Sequence, residues 1–352
     1  YLKVFIPSDL KYNVEKKTLF FPVQQFHSKN GWTSSKNNND NLHSTNMLLV
    51  KKIKNADVMF IPYPINFYFL NNLQGYLEQY DIICQKEKIR AYSYISGDFS
   101  ISFKNFKSFI YYRMGGFKSR LNSQHKAFPA LLSDRQHLYF KKNENRIREK
   151  KEAPKIGFCG HATNNKIENF KQIIKYLIEN ARRFFRNPLS SDYEKFFVSG
   201  YQRYKILKSL ESSSIINTNI IYRNKYRAGA KSTYELKKTT YEYYDNIKNS
   251  DYVICIRGSG NFSIRLYETL MMGRIPIFIN TDCLLPFLGS INWKKHTVWI
   301  EWENIHNLEN IINEYHNNLS EHEFKLKQIE NRLLWEQKLS PLGILNYLKK
   351  ND

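Results

Sequence analysis

The sequence predicts an α/β protein built as two parallel-sheet halves, and three observations predict it. Short apolar runs of strand length alternate with amphipathic helical stretches twice, once before residue 100 and again from residue 155. A nearly all-charged stretch, residues 140–155, separates the two series. The chain's 352 residues exceed one typical domain, and 42% hydrophobic with 15% aromatic content suffices for a sizeable core.

The first half opens with a strand at residues 2–6, followed by a polar stretch to about Asp40, rich in Ser, Asn and Lys, that reads as loop. Residues 42–54 are expected to form a helix leading into ADVMFIP (56–62), whose final proline suits the end of a buried strand. A helix at 70–86 and a strand at 89–95 continue the alternation. Beyond the charged hinge, strands are expected at 155–159, 215–222, 252–256 and 275–279, interleaved with helices at 166–185, 232–249 and 262–272. Apolar residues at helical spacing from 305 to 348, broken near Leu319-Ser320, give two or three terminal helices. The expected domains are 1–150, 151–320 and a helical tail, 321–352, able to pack back on the first.

Composition bounds the partners. A formal charge of +22 calls for something anionic: nucleic acid, a membrane surface, or phosphorylated small molecules and acidic glycans. The cations are dispersed through helices, so part of the excess is ordinary solvated surface. Cys84, Cys159, Cys255 and Cys283 lie far apart, with no C-x-x-C pair; neither zinc nor a disulfide framework is suggested, and a reducing cytosol fits. Cys159 and Cys255 each end a strand-like run and are expected in the core. The most apolar stretch, 56–70, is interrupted by Pro62, Pro64 and Asn66 and cannot cross a bilayer. No signal peptide is visible, and because the chain begins at Tyr1, a removed leading segment is allowed for.

The richest segment is RGSGNFSIRLYE, residues 257–268, set between a strand and a helix. Gly258 and Gly260 would let backbone amides approach phosphate oxygens at a helix N-terminus. Arg257 or Arg265 would add charge-assisted bonds to a diphosphate, and Glu268, one turn beyond Arg265, could accept from ribose hydroxyls. On spacing alone a second reading stands equally: Arg265 and Glu268 as a surface pair, with glycines that only shape a turn. A dinucleotide fingerprint and a Walker lysine are both missing, which leaves dehydrogenases and P-loop kinases without support.

Continued through GRIPI (273–277), NTDCLLPF (280–287) and INW (291–293), this segment closely resembles the C-terminal signature of exostosin-family glycosyltransferases. KIGFCG (155–160) and RNKYRAGA (223–230) are similar to further parts of it. The first half resembles the family only loosely, through FIP (60–62), SGD (96–98) and AFP (127–129). The resemblance implies a GT-B architecture: two Rossmann-like domains facing a central cleft, the second holding a nucleotide-sugar, UDP- or GDP-linked, and the first a glycan or lipid-linked glycan acceptor. It implies transfer with inversion, and neither cofactor nor metal. An Asp-x-Asp metal clamp is indeed missing from the sequence. Carried over, the donor-binding residues are Gly160, Arg223, Ser259, Asn261, Arg265 and Glu268, with Arg265 at the diphosphate and Glu268 at the ribose.

Inversion needs a base on the acceptor side. Asp98, after a predicted strand and Gly97, is the candidate; His27, Asp9, His125 and Asp134 are rivals, and a turn or cap role is the alternative for Asp98 itself. Gly273 should end its helix in the left-handed conformation, with Pro276 entering the next strand and Asp282 capping the following turn or touching the sugar. The positive charge further suggests a peripheral place at the inner face of a cytoplasmic membrane, in capsule or lipopolysaccharide assembly. Two other classes remain: a basic nucleic-acid binder, from the aromatics interleaved with cations at 201–205 and 222–227, although nucleic acid is not the expected partner, and an inactive glycan-binding relative.

Overall fold

The first alternation becomes a six-stranded parallel sheet in the computed structural model, which describes residues 1–10, 15–28, 31–33, 47–142, 144–189 and 192–350. In chain order the elements are β1 (Leu2–Phe5), a small hairpin of β2 (His27–Ser28) and β3 (Gly31–Trp32), β4 (Met47–Leu49), β5 (Val58–Phe60), helices α1 (Ile65–Leu70) and α2 (Gln74–Glu87), β6 (Arg90–Ile95), β7 (Phe109–Arg113), β8 (His125–Ala127) and the short α3 (Gln136–Tyr139). The strand order is β4-β1-β5-β6-β7-β8. A second parallel sheet follows from β9 (Lys155–His161), α4 (Lys166–Arg186), α5 (Ser199–Glu211), β10 (Asn217–Arg223), α6 (Thr233–Lys248), β11 (Tyr252–Cys255), α7 (Ile264–Met271), β12 (Ile275–Asn280), α8 (Trp293–His296) and β13 (Val298–Glu301), ordered β10-β9-β11-β12-β13. Helices α9 (Leu308–Asn317), α10 (Glu321–Leu334) and α11 (Pro341–Lys350) end the chain.

Two Rossmann-like parallel sheets are the predicted fold class. The sequence reason is visible in β11 and β12, YVIC and IPIFIN: strands covered on both faces are apolar throughout rather than alternating. Gly273 ends α7 with φ +68°, as expected of a left-handed C-cap.

Three expectations are corrected. Residues 47–54 form no α-helix: Met47 pairs with Leu2 in β4, only a 3-10 turn at Ile53–Asn55 follows, and 42–46 lie outside the described residues. The polar stretch before Asp40 is more than loop where it is described: Phe20, Val23 and Phe26 are buried, while 11–14, 29–30 and 34–40 lie outside the described residues. The charged hinge is fastened down. Arg148 Nε meets the buried carboxylate of Asp251 at 2.5 Å, and Lys248 pairs with Glu144 at 2.7 Å. Strands β7, β8 and β13 and helix α5 were not foreseen.

The largest apolar cluster crosses between the halves. It joins Val4 and Phe60 of the first sheet to Leu266 of α7, Phe278 of the second sheet and Leu345 and Leu348 of α11. Arg274, buried beside it, donates to the carbonyls of Arg146 and Lys248, which satisfies a guanidinium that could not otherwise be buried.

Candidate active site

The carboxyl ends of β9 and β11 and the start of α7 gather four of the six donor-side residues. A Cβ on Gly160 would come within 2.6 Å of Arg265 Nη2, so the glycine is what lets that guanidinium lie across β9. Arg265 donates to the Cys159 carbonyl at 2.9 Å and sits 4.1 Å over the Phe158 ring. Glu268 accepts from the hydroxyls of Tyr243 and, at 3.0 Å, Tyr244, both on α6. Arg265 and Glu268 therefore do not form the surface pair that spacing alone allowed. Ser259 is exposed on the glycine loop, its carbonyl accepting from Arg257 at 2.9 Å. No side chain caps the N-terminus of α7, which leaves its positive end without a side-chain acceptor.

Two expected donor contacts are engaged elsewhere. Arg223, at the end of β10, is buried and spends its guanidinium on Glu242 at 3.2 Å and the Thr239 carbonyl at 2.8 Å. Asn261 is fully buried. Its amide donates to the carbonyls of Gly116, Thr281 and Asp282 at 2.9–3.1 Å and accepts from Thr281, so it stitches the glycine loop to the first half and has no polar atom turned to a ligand.

Sequence reasoning missed Arg203, on α5. Its guanidinium donates to the carbonyls of His161, Ile256 and Arg257, and the nearest atom to a Cβ on Gly258 would be its Nη2, at 3.6 Å. Burial, then the positive charges of Arg265 and Arg257, push its pKa down to about 9. The Nε atoms of Arg203, Arg257 and Arg265 are all buried without an acceptor. Arg257 also pairs with the buried Glu194 at 3.4 Å, so three guanidiniums face two carboxylates here, Glu194 and Glu268, and the local balance stays positive. The only sequence signal for Arg203 was the aromatic-basic run 201–205, yet Tyr204 packs with Tyr222 at 5.9 Å against the second core.

The first half reaches this site through residues 98–120. Asp98 follows β6 and Gly97, which has φ +101°. Its carbonyl oxygen would lie 1.7 Å from a Cβ on Gly260 and 2.6 Å from one on Gly115, so backbone rests on backbone. Its carboxylate is exposed and makes no hydrogen bond with any described residue. The rivals are placed otherwise. His125 is buried against Tyr111, ring centroids 5.0 Å apart, and burial pushes its pKa down to about 4. Asp134 pairs with Arg332, Asp9 accepts from Tyr80, and His27 packs edge-on to Trp32. Asp282 does not cap the following turn: with φ +63° it accepts from Ser119 N and Oγ and pairs with Lys195 at 3.0 Å, tying the halves together. Beside it, Ser100 and Ser102 amides donate to Glu194 and Asp192.

Fold and site together define a two-sheet α/β protein with three arginines gathered at a glycine loop. Residues 184–315 match the family model of the Exostosin GT47 domain, so this part of the chain is similar to exostosin-like glycosyltransferases. Over 70 residues, 20% of this chain, it is 33% identical to a probable glucuronosyltransferase of Oryza sativa subsp. japonica and 36% identical to a probable glycosyltransferase of Arabidopsis thaliana. Those stretches are 16% and 14% of the two plant proteins, so the chain spans about a sixth of the curated relatives it matches. Among solved structures, TarM aligns with TM-score 0.32 and 14% identity, covering 84% of this chain and 55% of TarM. The glycotransferase of kitacinnamycin aligns with TM-score 0.29 and 8% identity, covering 83% and 70%.

Proposed function

We propose that this chain transfers a sugar, hexosyl or pentosyl, from a UDP- or GDP-linked donor to a glycan hydroxyl, with inversion and without a catalytic metal. The observation that carries the reading is the gathering of Arg203, Arg257 and Arg265, with acceptor-less buried Nε atoms, around the glycine loop 258–260. In this reading Arg265 and Arg203 face the diphosphate, the amino end of α7 adds its partial charge, and Glu268 takes the ribose hydroxyls. Gly160 makes room for Arg265, while Asn261 and Arg223 hold the loop and β10 in place. The missing Asp-x-Asp motif and the arginines support metal-free stabilisation of the leaving group.

In the reaction so proposed, the acceptor hydroxyl attacks the anomeric carbon as its bond to the diphosphate oxygen breaks. Asp98 takes the hydroxyl proton, and the pair of electrons leaves with the diphosphate. Residues 1–150 then serve the acceptor, residues 151–320 the donor, and the tail, 321–352, joins them. The setting we favour is synthesis of a surface polysaccharide at the inner face of a cytoplasmic membrane, where +22 charge keeps the chain near anionic lipid. A thermal-shift panel with UDP, GDP, CMP and their sugars tests the donor assignment: a nucleotide diphosphate should raise the midpoint, and a flat response to all of them would overturn it.

A further inference from the structure

Helix α4 is turned inside out. Its 21 residues are amphipathic, yet the apolar face is the one that meets solvent: Phe170 is 61% exposed, Leu177 53%, Phe184 52% and Phe185 84%, with Ile167 and Ile174 in the same row. The polar face is the one that packs. Gln172 accepts from Ser199 Oγ and the Gly200 amide at 3.1 Å, Asn180 exchanges two hydrogen bonds with the Glu194 backbone, and Arg183, buried, faces Asp192 and Glu194. At 100° per residue the apolar side chains form one stripe about 140° wide and about 30 Å long.

The flanks of this stripe are basic. The helix carries six Lys and Arg against two Glu. Five of the cations are exposed, and Lys171, Arg182, Lys175 and Arg186 line one edge of the stripe, with Lys166 at the other. The two glutamates pair with Lys171 and Arg182, and Arg186 pairs with Asp192 at 2.6 Å, so Lys166 and Lys175 leave the helix with a net positive charge. A second copy of the chain would bring basic flanks against basic flanks, and two bodies of charge +22 together. An anionic bilayer matches both features at once: the stripe enters the acyl boundary and the cations lie among headgroups.

We propose that α4 is an interfacial helix that docks the protein onto anionic phospholipid surfaces. The docked face borders the cleft, since Lys175 lies 5.1 Å over the ring of Phe99 and Arg186 5.6 Å over that of Phe103, in the segment that follows Asp98. A lipid-bound substrate would thereby meet the site from the side. Docking itself does not depend on the reaction proposed above.

The full chain is to be sedimented with phosphatidylcholine vesicles and with vesicles containing phosphatidylglycerol. Anionic vesicles should bind at least about tenfold more protein, and added salt should reduce the difference. Phe170→Glu/Leu177→Glu/Phe184→Glu should abolish binding without lowering the thermal midpoint, because these side chains are solvent-exposed. Replacing Lys166, Lys171 and Lys175 with Ala should cost roughly fivefold per cation. As an independent readout, a Leu177→Cys variant carrying an environment-sensitive dye should shift to the blue on anionic vesicles. Equal binding to both vesicle types, undiminished binding by the triple Glu variant, or a parent dimer that the triple Glu variant dissolves would each overturn the proposal.

Discussion

Replacing Glu268 with Ala separates a ligand-binding carboxylate from a packing one. An ionised carboxylate offers about four lone-pair positions. Tyr243 and Tyr244 take one on each oxygen, so about two remain for the hydroxyls of a ribose. A hydrogen bond to a charged acceptor is worth about 1.5–3 kcal/mol, so losing one raises Kd roughly 10- to 150-fold. The substitution also strands two tyrosine hydroxyls, at about 1–3 kcal/mol of stability for each that water does not reach. Tyr243→Phe/Tyr244→Phe removes that second effect: it should bind nucleotide within about fivefold of the parent, and adding Glu268→Ala to it should again cost the full factor in affinity but little stability. Isothermal titration with whichever of UDP, GDP or CMP stabilises the parent reads the first quantity, and denaturant unfolding the second. If Glu268→Ala binds nucleotide as tightly as the parent, the ribose assignment is wrong and Glu268 only anchors α6 to α7.

Gly160→Ala should push Arg265 off β9 and weaken nucleotide binding about tenfold or more, read by the same titration, with a loss of stability no larger than about 1–3 kcal/mol. Asp98→Asn should leave nucleotide affinity unchanged and lower the transfer rate by about 10²–10⁴; retention of full activity would remove Asp98 as base. His125 gives a pH test. Its pKa falls from about 6.5 unfolded to about 4 folded, so the unfolded chain binds the extra proton between those values. Its contribution is therefore complete above about pH 6.5 and is lost as pH drops toward 4, by at most on the order of 3 kcal/mol. Unfolding curves of His125→Phe should lack that slope, and parallel pH profiles for parent and variant would count against it.

The two sheets were legible in the sequence because strands covered on both sides are uniformly apolar and the charged stretch marks where one series ends. Gly273 was legible because few residues suit a left-handed cap, whereas Gly260, expected to face a phosphate, is approached by the Asp98 backbone. What the sequence withheld was direction. Periodicity identified α4 as a helix and implied a buried apolar face, but Asp192 and Glu194, between α4 and α5, bind its polar face inward instead. Asn261 and Asp282 stand in the right motif, and only the folded chain shows that their partners, Gly116 and Ser119, come from the other half. Arg203 reaches the site from α5, more than 50 residues before the loop it touches, with no local pattern to announce it. The aromatic run of β7, FIYYR, has strand composition but lies amid loop-like neighbours that hid it.

Where the Asp98 carbonyl lies on Gly260, two loops from opposite halves meet with no side chain between them. Side chains can absorb small displacements by changing rotamer, and bare peptides cannot. A shift of the glycine loop as it wraps a donor would thus carry Asp98 with it, atom for atom. On the proposed reading, the proton acceptor is aligned by the arrival of the donor, which makes the order of substrate entry compulsory and keeps an idle base from delivering the sugar to water.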